Sequence, residues 1–331
     1  MGLDYHSARE DRPLSVKASV VICTFNRVDY IRLAVESLTH QTIPTDQFEI
    51  IVVDNASTDA TPEVIKELLP AISNLKYIHE DKQGLSHARN RGTKESEGEI
   101  VVFLDDDAIA EPEFLEAHLR SFTKDPSPIA TGGRIYLRWP IERPRWVPVS
   151  QESFYSGLDL GDEPQLLEFP KYPYGANMAI DRKTLVDIGG FSIELGRSGN
   201  NLISGEERDL FLRVSQSGGL VVYVPDAIVH HCVLEERVQK KWLLRRSFAQ
   251  GRSAVAMEVV AQGRPPLSRL MPRTLLHWAR SANRFIGLSK TVLLRRGPAE
   301  VMDRAGNFLY WVGSAYEGTR MIMSCVRLKY R

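Results

Sequence analysis

The chain has 331 residues, 43% hydrophobic and 25% charged, an ordinary composition for a soluble protein with one large core and an appendage. Its net charge is zero, yet residues 232–331 carry 19 Lys+Arg against 6 Asp+Glu, while residues 1–231 carry 23 against 36. Three scattered cysteines (Cys23, Cys232, Cys325) argue against a disulfide framework or a zinc site and for a reducing compartment, and no run reaches the roughly 18 uncharged apolar residues of a membrane span.

Residues 1–16 are polar, lack the features of a signal peptide, and are expected to form a flexible arm. Strand and helix signals then alternate. Ala18–Thr24 is a β-branched apolar run. Asp29–Gln41 has helical spacing, with Ile31, Val35 and Leu38 on one face. Glu49–Asp54 is a strand, and Thr61-Pro62 opens a helix that runs to Leu68. Leu75–His79 is a strand, Gly84–Glu97 a polar helix, Ile100–Asp105 a strand and Pro112–Thr123 a helix. Such alternation means βαβ units and an α/β fold with a mostly parallel sheet flanked by helices.

The middle is less regular. Trp139–Glu168, rich in Pro and Trp, reads as a long loop. A strand is expected over Tyr174–Asp181, helices over Lys183–Ile188 and Ser204–Gln216, and two short strands over Leu220–Val224 and Ala227–Val229. From Glu235 the pattern is helical, broken into about three helices by Gly263-Arg264-Pro265-Pro266 and Gly297-Pro298. The expected organisation is an arm (1–16), an α/β domain (17–234) and a basic helical region (235–331).

Three strands end in residues suited to chemistry: Thr24, Asp54 and Asp105. Strand ends of a parallel sheet gather on one edge, where ligands of open α/β sheets bind. Asp105-Asp106-Asp107 behind Ile100–Leu104 concentrates three carboxylates there, the setting of a hard divalent cation and the phosphate that accompanies it. Helix capping would need only one of them. A phosphatase of the haloacid dehalogenase type, with Asp105 as nucleophile, is the second enzymatic reading.

Taken together, Val20-Val21-Ile22-Cys23-Thr24-Phe25-Asn26-Arg27, Ile51-Val52-Val53-Asp54-Asn55-Ala56-Ser57-Thr58-Asp59, Gly84-Leu85-Ser86-His87-Ala88-Arg89-Asn90 and Phe103-Leu104-Asp105-Asp106-Asp107 closely resemble family 2 glycosyltransferases of the GT-A fold. The resemblance continues through Gly175-Ala176-Asn177-Met178, Gly189-Gly190-Phe191 and Gly205-Glu206-Glu207-Arg208-Asp209-Leu210 and covers about 17–233, not the basic tail. It implies an inverting transferase that uses a nucleotide sugar, UDP-linked by family habit, and Mg²⁺ or Mn²⁺.

On the matching positions, the resemblance implies that Thr24, Phe25, Arg27 and Asp54 border the nucleoside, and that Asp107 ligates the metal; Asp54 can also hold an Asx-turn over Asn55 to Ser57. Asp105 contacts ribose or metal, and Asp106 fills the variable position. Arg89 reaches the diphosphate or base, or is a solvated helix residue. Gly175 and Asn177 line the donor sugar, or form an ordinary turn. The general base falls on Glu207, with Glu206 next, although the commoner residue is Asp; a nucleotide-sugar-binding pseudoenzyme therefore stays open. Ser204-x-x-Glu207 is also a capping box, and Asp209 is expected to pair with Arg213 at i+4. The resemblance implies a His near the metal or diphosphate, or else an ordinary surface or core histidine stands here; alternation, which sends residues 227, 229 and 231 to one face, favours His231 over His230.

The acceptor is expected to be a saccharide or a polyprenyl-linked sugar, and the location cytoplasmic, peripheral to the inner membrane face. The basic tail either packs on the catalytic domain or meets an anionic membrane surface. No nucleic-acid-binding motif is present.

Overall fold

The structure, a computed structural model, describes residues 16–196, 204–263 and 265–329. The expected arm lies, apart from residue 16, outside the described residues. The α/β part runs β1 (Ala18–Thr24), α1 (Ile31–Ser37), β2 (Phe48–Asp54), α2 (Thr61–Leu68), β3 (Leu75–His79), α3 (Leu85–Glu95), β4 (Ile100–Asp105), β5 (Ala108–Ala110), α4 (Phe114–Phe122), β6 (Ala130–Arg138), β7 (Gln165–Leu166), β8 (Asn177–Asp181), α5 (Arg182–Asp187), α6 (Glu206–Gln216) and β9 (Val221–Cys232). Three long helices follow: α7 (Lys240–Gln262), α8 (Leu267–Leu293) and α9 (Pro298–Lys329).

Among the described residues one sheet has the order β3-β2-β1-β4-β8-β6-β9-β5, with β7 on β9. The expected parallel pairing holds β3, β2, β1 and β4 together, and β6 runs parallel to β9. Antiparallel pairings join β8 to β4 and β6, and β5 to β9. Alternation sends Val20 and Ile22 of β1 to a core under α1, α2 and α4, and Val21 to a second core under α3, α5 and α6. Both faces of the central strands are buried, which explains their unbroken apolar runs.

Two elements depart from expectation. β6 has no strand signature because Gly132 and Gly133 interrupt it; both are required by close approach, since a Cβ at Gly132 would overlap Pro173 and one at Gly133 would overlap the Ala227 carbonyl and Asn177. The two short strands expected at 220–229 are one strand, β9. Its Pro225-Asp226 break is absorbed where the register against β6 shifts between Gly133 and Arg134.

The Trp- and Pro-rich loop is ordered by the C-terminal helices. Val147 and Tyr155 share a small core with Val233, Leu243 and Met302, flanked by Trp139, Trp146 and Trp242. The basic region therefore packs on the α/β part.

Candidate active site

The register of the parallel strands sets Thr24 beside Asp54 and Cys23 beside Asp105, so the three expected strand ends share one edge. Above this edge opens a cavity of about 390 Å³, within the range of small-molecule sites. Thr24, Phe25, Arg27 and Arg89 line it, with Asp105, Asp106, Asp107 and His231 at its floor and Glu206 and Glu207 on a wall.

After β4 the chain turns through Asp106-Asp107 into β5, which pairs antiparallel with β9 so that Ala108 lies opposite His231. That register, together with the bond from the Cys232 N–H to the Asp107 carbonyl (2.7 Å), brings His231 Nε2 to 3.0 Å from Asp107 Oδ1 and 3.9 Å from Asp105 Oδ2. Ala227, Val229 and His231 are buried in alternation, as expected. One ligand atom from each of Asp105, Asp107 and His231 falls within 4.8 Å of the others. Two carboxylates and an imidazole are a donor set suited to Mn²⁺ or Mg²⁺, so the residues present fit the implied ion.

Asp106 and Asp107 are pushed in opposite directions. Burial alone would raise the Asp107 carboxyl, but His231, Arg237 and Arg27 hold it well below the usual carboxylate range. Asp106, buried and facing Asp107, is pushed up to about 7, with Arg27 at 3.6 Å only partly offsetting this.

Arg89, on α3, is 2% exposed and is no solvated helix residue. Its guanidinium lies against the rings of Phe103 and Phe191. Nη1 donates to Glu206 Oε1 at 3.1 Å, Nη2 donates to Glu207 Oε1 at 3.0 Å, and Nη2 stands 3.7 Å from Asp105. The cation thus joins the acidic floor to the wall carrying the candidate base.

The two glutamates divide their work. Glu206 Oε2 accepts the N–H of Gly205, so both its oxygens are engaged. Glu207 Oε1 takes both Arg89 and the Gly175 N–H, the latter at 2.9 Å, and among the described residues no group donates to its Oε2. Ser204 does not form the capping box with Glu207; Gly205 is the cap residue, and the Ser204 hydroxyl faces Gln250 and Arg246 of α7. Burial pushes Glu207 up to about 7; Arg89 opposes the shift, and Glu206 and Asp105 add to it. Asp209 pairs with Arg213 at 2.7 Å, as expected.

Other expected site residues are placed differently. Gly175 touches the site through its backbone, and a Cβ there would overlap both the Arg89 guanidinium and the Glu207 carboxylate. Asn177 does not line the cavity: fully buried, its Oδ1 accepts from His118 Nε2 and its Nδ2 donates to the carbonyls of Arg134 and Ala227. Asp54 is also sealed from the cavity, at 0% exposure. It accepts from the Ser57 N–H and the Tyr77 hydroxyl and so fixes the turn that presents Asn55.

Packing of the basic region on the catalytic domain was one of the two expectations, but the sequence named none of the residues it brings to the site. Arg237 Nη2 reaches 3.5 Å from Asp107 Oδ2, and Arg246, Gln250 and Met257 of α7 complete the cavity wall. The only signal was the density of arginines, with nothing to say which of them turn inward. Ser153, Phe154 and Ser156 of the Trp-rich loop, with Tyr172 and Tyr174, form the remaining side.

The profile of the family described as "Glycosyl transferase family 2" matches residues 19–192. A relative from Haloferax volcanii, named glucosyl-dolichyl phosphate glucuronosyltransferase, is 28% identical over 74% of this chain and 78% of its own length. The succinoglycan biosynthesis protein ExoM of Rhizobium meliloti is 26% identical over 70% and 72%. In fold, the chain is similar to a mannosyltransferase from Pyrobaculum calidifontis, solved with GDP-Man and Mn²⁺, with a TM-score of 0.56, 21% identity and coverage of 94% of this chain and 86% of that one. The architecture is the GT-A fold with an added C-terminal helical region.

Proposed function

The chain belongs to glycosyl transferase family 2, and on that premise we propose that it moves a sugar, with inversion, from a UDP-sugar to a hydroxyl of a glycan or lipid-linked acceptor. One observation carries this reading. The Asp105–Asp107–His231 cluster and the open Oε2 side of Glu207 face a single cavity and are tied together through Arg89.

Asp107, Asp105 and His231 would hold Mn²⁺ or Mg²⁺, which when bound neutralises charge developing on the leaving nucleoside diphosphate. Thr24, Phe25 and Arg27 border the nucleotide, and Asp54 acts from beneath by holding the turn before Asn55. Glu207 accepts the proton of the acceptor hydroxyl as that oxygen attacks the anomeric carbon from the face opposite the diphosphate. A carboxyl titrating near neutrality is suited to that exchange. Arg89 and the Gly175 N–H fix one of its oxygens, so the other is presented to the acceptor.

The acceptor side is formed by the Trp-rich loop and α7. The dolichyl-phosphate substrate in the name of the Haloferax relative supports a polyprenyl-linked acceptor, and the basic helical region would bring the cavity to the anionic surface where such lipids reside.

Release of nucleoside diphosphate from a panel of nucleotide sugars with Mn²⁺, with and without acceptor, tests the reading. Turnover of one UDP-sugar that is abolished in Glu207→Gln supports it. Binding of UDP without turnover of any donor marks a binding protein, and hydrolysis of phosphomonoesters lost in Asp105→Asn marks a phosphatase.

A further inference from the structure

Helix α8 is amphipathic in the reverse of the usual sense. A helix on a soluble core turns its apolar stripe inward. Here the buried side, against α9, has one large apolar residue, Leu270 at its start, and is otherwise Thr274, His277, Ser281 and Thr291, and Gly318 of α9 approaches so closely that a Cβ would overlap Thr274. The apolar residues point outward. Leu275, Ile286 and Leu293, at steps of eleven and seven residues, lie on one face and are 66%, 54% and 82% exposed, and Trp278 and Phe285 border that face, about half exposed while also touching Thr319 and Phe308 of α9. Small and polar groups inside with large apolar groups outside is the packing of helices whose surroundings are hydrocarbon.

Charge identifies what those surroundings are. From Glu258 to Glu300 the intervening residues include eight Lys or Arg and no Asp or Glu. Arg284, Lys290, Arg295 and Arg296 are exposed on or just beyond α8. Arg273 is tied to Glu258, and Arg280 lies 4.6 Å over the Trp311 ring, so these two hold the helix to its neighbours. An apolar stripe edged by cations and free of carboxylates matches an anionic bilayer surface. Among the described residues no helix is long and apolar enough to cross a membrane, so α8 lies in the interface plane.

We propose that α8 inserts its outward stripe of Leu275, Trp278, Phe285, Ile286 and Leu293 into the headgroup boundary of an anionic membrane. The inference rests on the reading of the basic region as membrane-facing, and it is independent of the transfer chemistry. It differs from simple charge attraction in its source, which is buried apolar area rather than cations alone.

The full chain is floated on vesicles of phosphatidylcholine with and without phosphatidylglycerol, at low and high salt. The wild type should bind the anionic vesicles and keep part of that binding at high salt, because inserted area is not screened. Leu275→Ser/Ile286→Ser/Leu293→Ser should weaken binding by more than about tenfold, since the apolar area available for insertion is removed. Its release of nucleoside diphosphate from the donor should be unchanged. Brominated lipid should quench Trp278, read as the difference between wild type and Trp278→Phe, a measurement that does not depend on the triple variant folding. Equal binding by the triple variant, no binding by the wild type, or no Trp278 quenching overturns the proposal. A wild-type dimer that the triple variant converts to monomer in light scattering also overturns it, by assigning the face to a second copy. A wild type that turns over donor yet floats with neither kind of vesicle defeats the membrane assignment and leaves the transferase reading standing.

Discussion

Arg89 Nη2 and Glu207 Oε1 meet at 3.0 Å, and the Gly175 N–H donates to the same carboxylate oxygen at 2.9 Å. The contact orders one oxygen of the carboxylate and leaves the other without a donor among the described residues. It also sets three carboxylates, those of Glu206, Glu207 and Asp105, around one buried cation.

Removing the cation exposes that dependence. Arg89→Ala leaves clustered buried carboxylates uncompensated and should cost about 3–5 kcal/mol of stability, read as a lowered urea midpoint. Arg89→Lys keeps the charge without the two-pronged geometry and should be intermediate in stability while losing most activity.

Glu207→Gln keeps the shape and the Gly175 contact but cannot take a proton. Transfer should fall by about 10²–10⁴-fold, while UDP binding in the presence of Mn²⁺, measured by calorimetry, stays near wild type. Glu206→Gln should reduce activity far less.

The pH profile follows from the direction of the Glu207 shift. A carboxyl raised to about 7 is protonated and inactive as a base below that pH and becomes competent above it. kcat/KM should therefore rise through about pH 7 instead of through the ordinary glutamate range near 4.3, and Glu207→Gln should lack the rising limb.

Asp107→Asn removes one carboxylate of the candidate metal cluster. Mn²⁺ affinity, followed by calorimetry, should drop by about 10–100-fold or more, with transfer falling alongside it. Chelation with EDTA should stop transfer and leave the circular dichroism spectrum unchanged, because the sheet is held by two apolar cores rather than by the metal.

His118 provides a stability test away from the cavity. Fully buried, it meets Thr131 Oγ1 through Nδ1 and Asn177 Oδ1 through Nε2, both at 2.8 Å, and burial lowers it to about 4. The unfolded chain binds this proton near 6.5, so between about 6.5 and 4 the unfolded state holds more protons. Stability is fully present above 6.5 and is lost as pH falls toward 4. At pH 5 the loss should be about 2 kcal/mol, read as a fall in denaturation midpoint that is reduced in His118→Gln.

Much of this was legible in the residues themselves. β1, β2 and β4 are continuous apolar runs ended by Thr24, Asp54 and Asp105, and parallel pairing is the way to bury both faces of such runs between helices. β6 was hidden because its glycines answer to Pro173, Ala227 and Asn177, which are distant in sequence. Asn177 looked like a donor contact for the same reason: its partners His118, Arg134 and Ala227 become neighbours only when β8, β6 and β9 assemble.

By itself, then, the sequence determined the α/β alternation, the carboxylate-bearing strand edge and the face on which His231 would fall, because periodicity and strand ends are local properties. Only the tertiary structure decided that β5–β9 register brings His231 to Asp107, that Glu206 is spent on Arg89 and Gly205 while Glu207 keeps one oxygen without a donor among the described residues, and that Arg237 enters the site from the basic region. It also decided which side of α8 faces outward. Each of these depends on distances between segments far apart in the chain, and only the packing of helices on the sheet sets such distances.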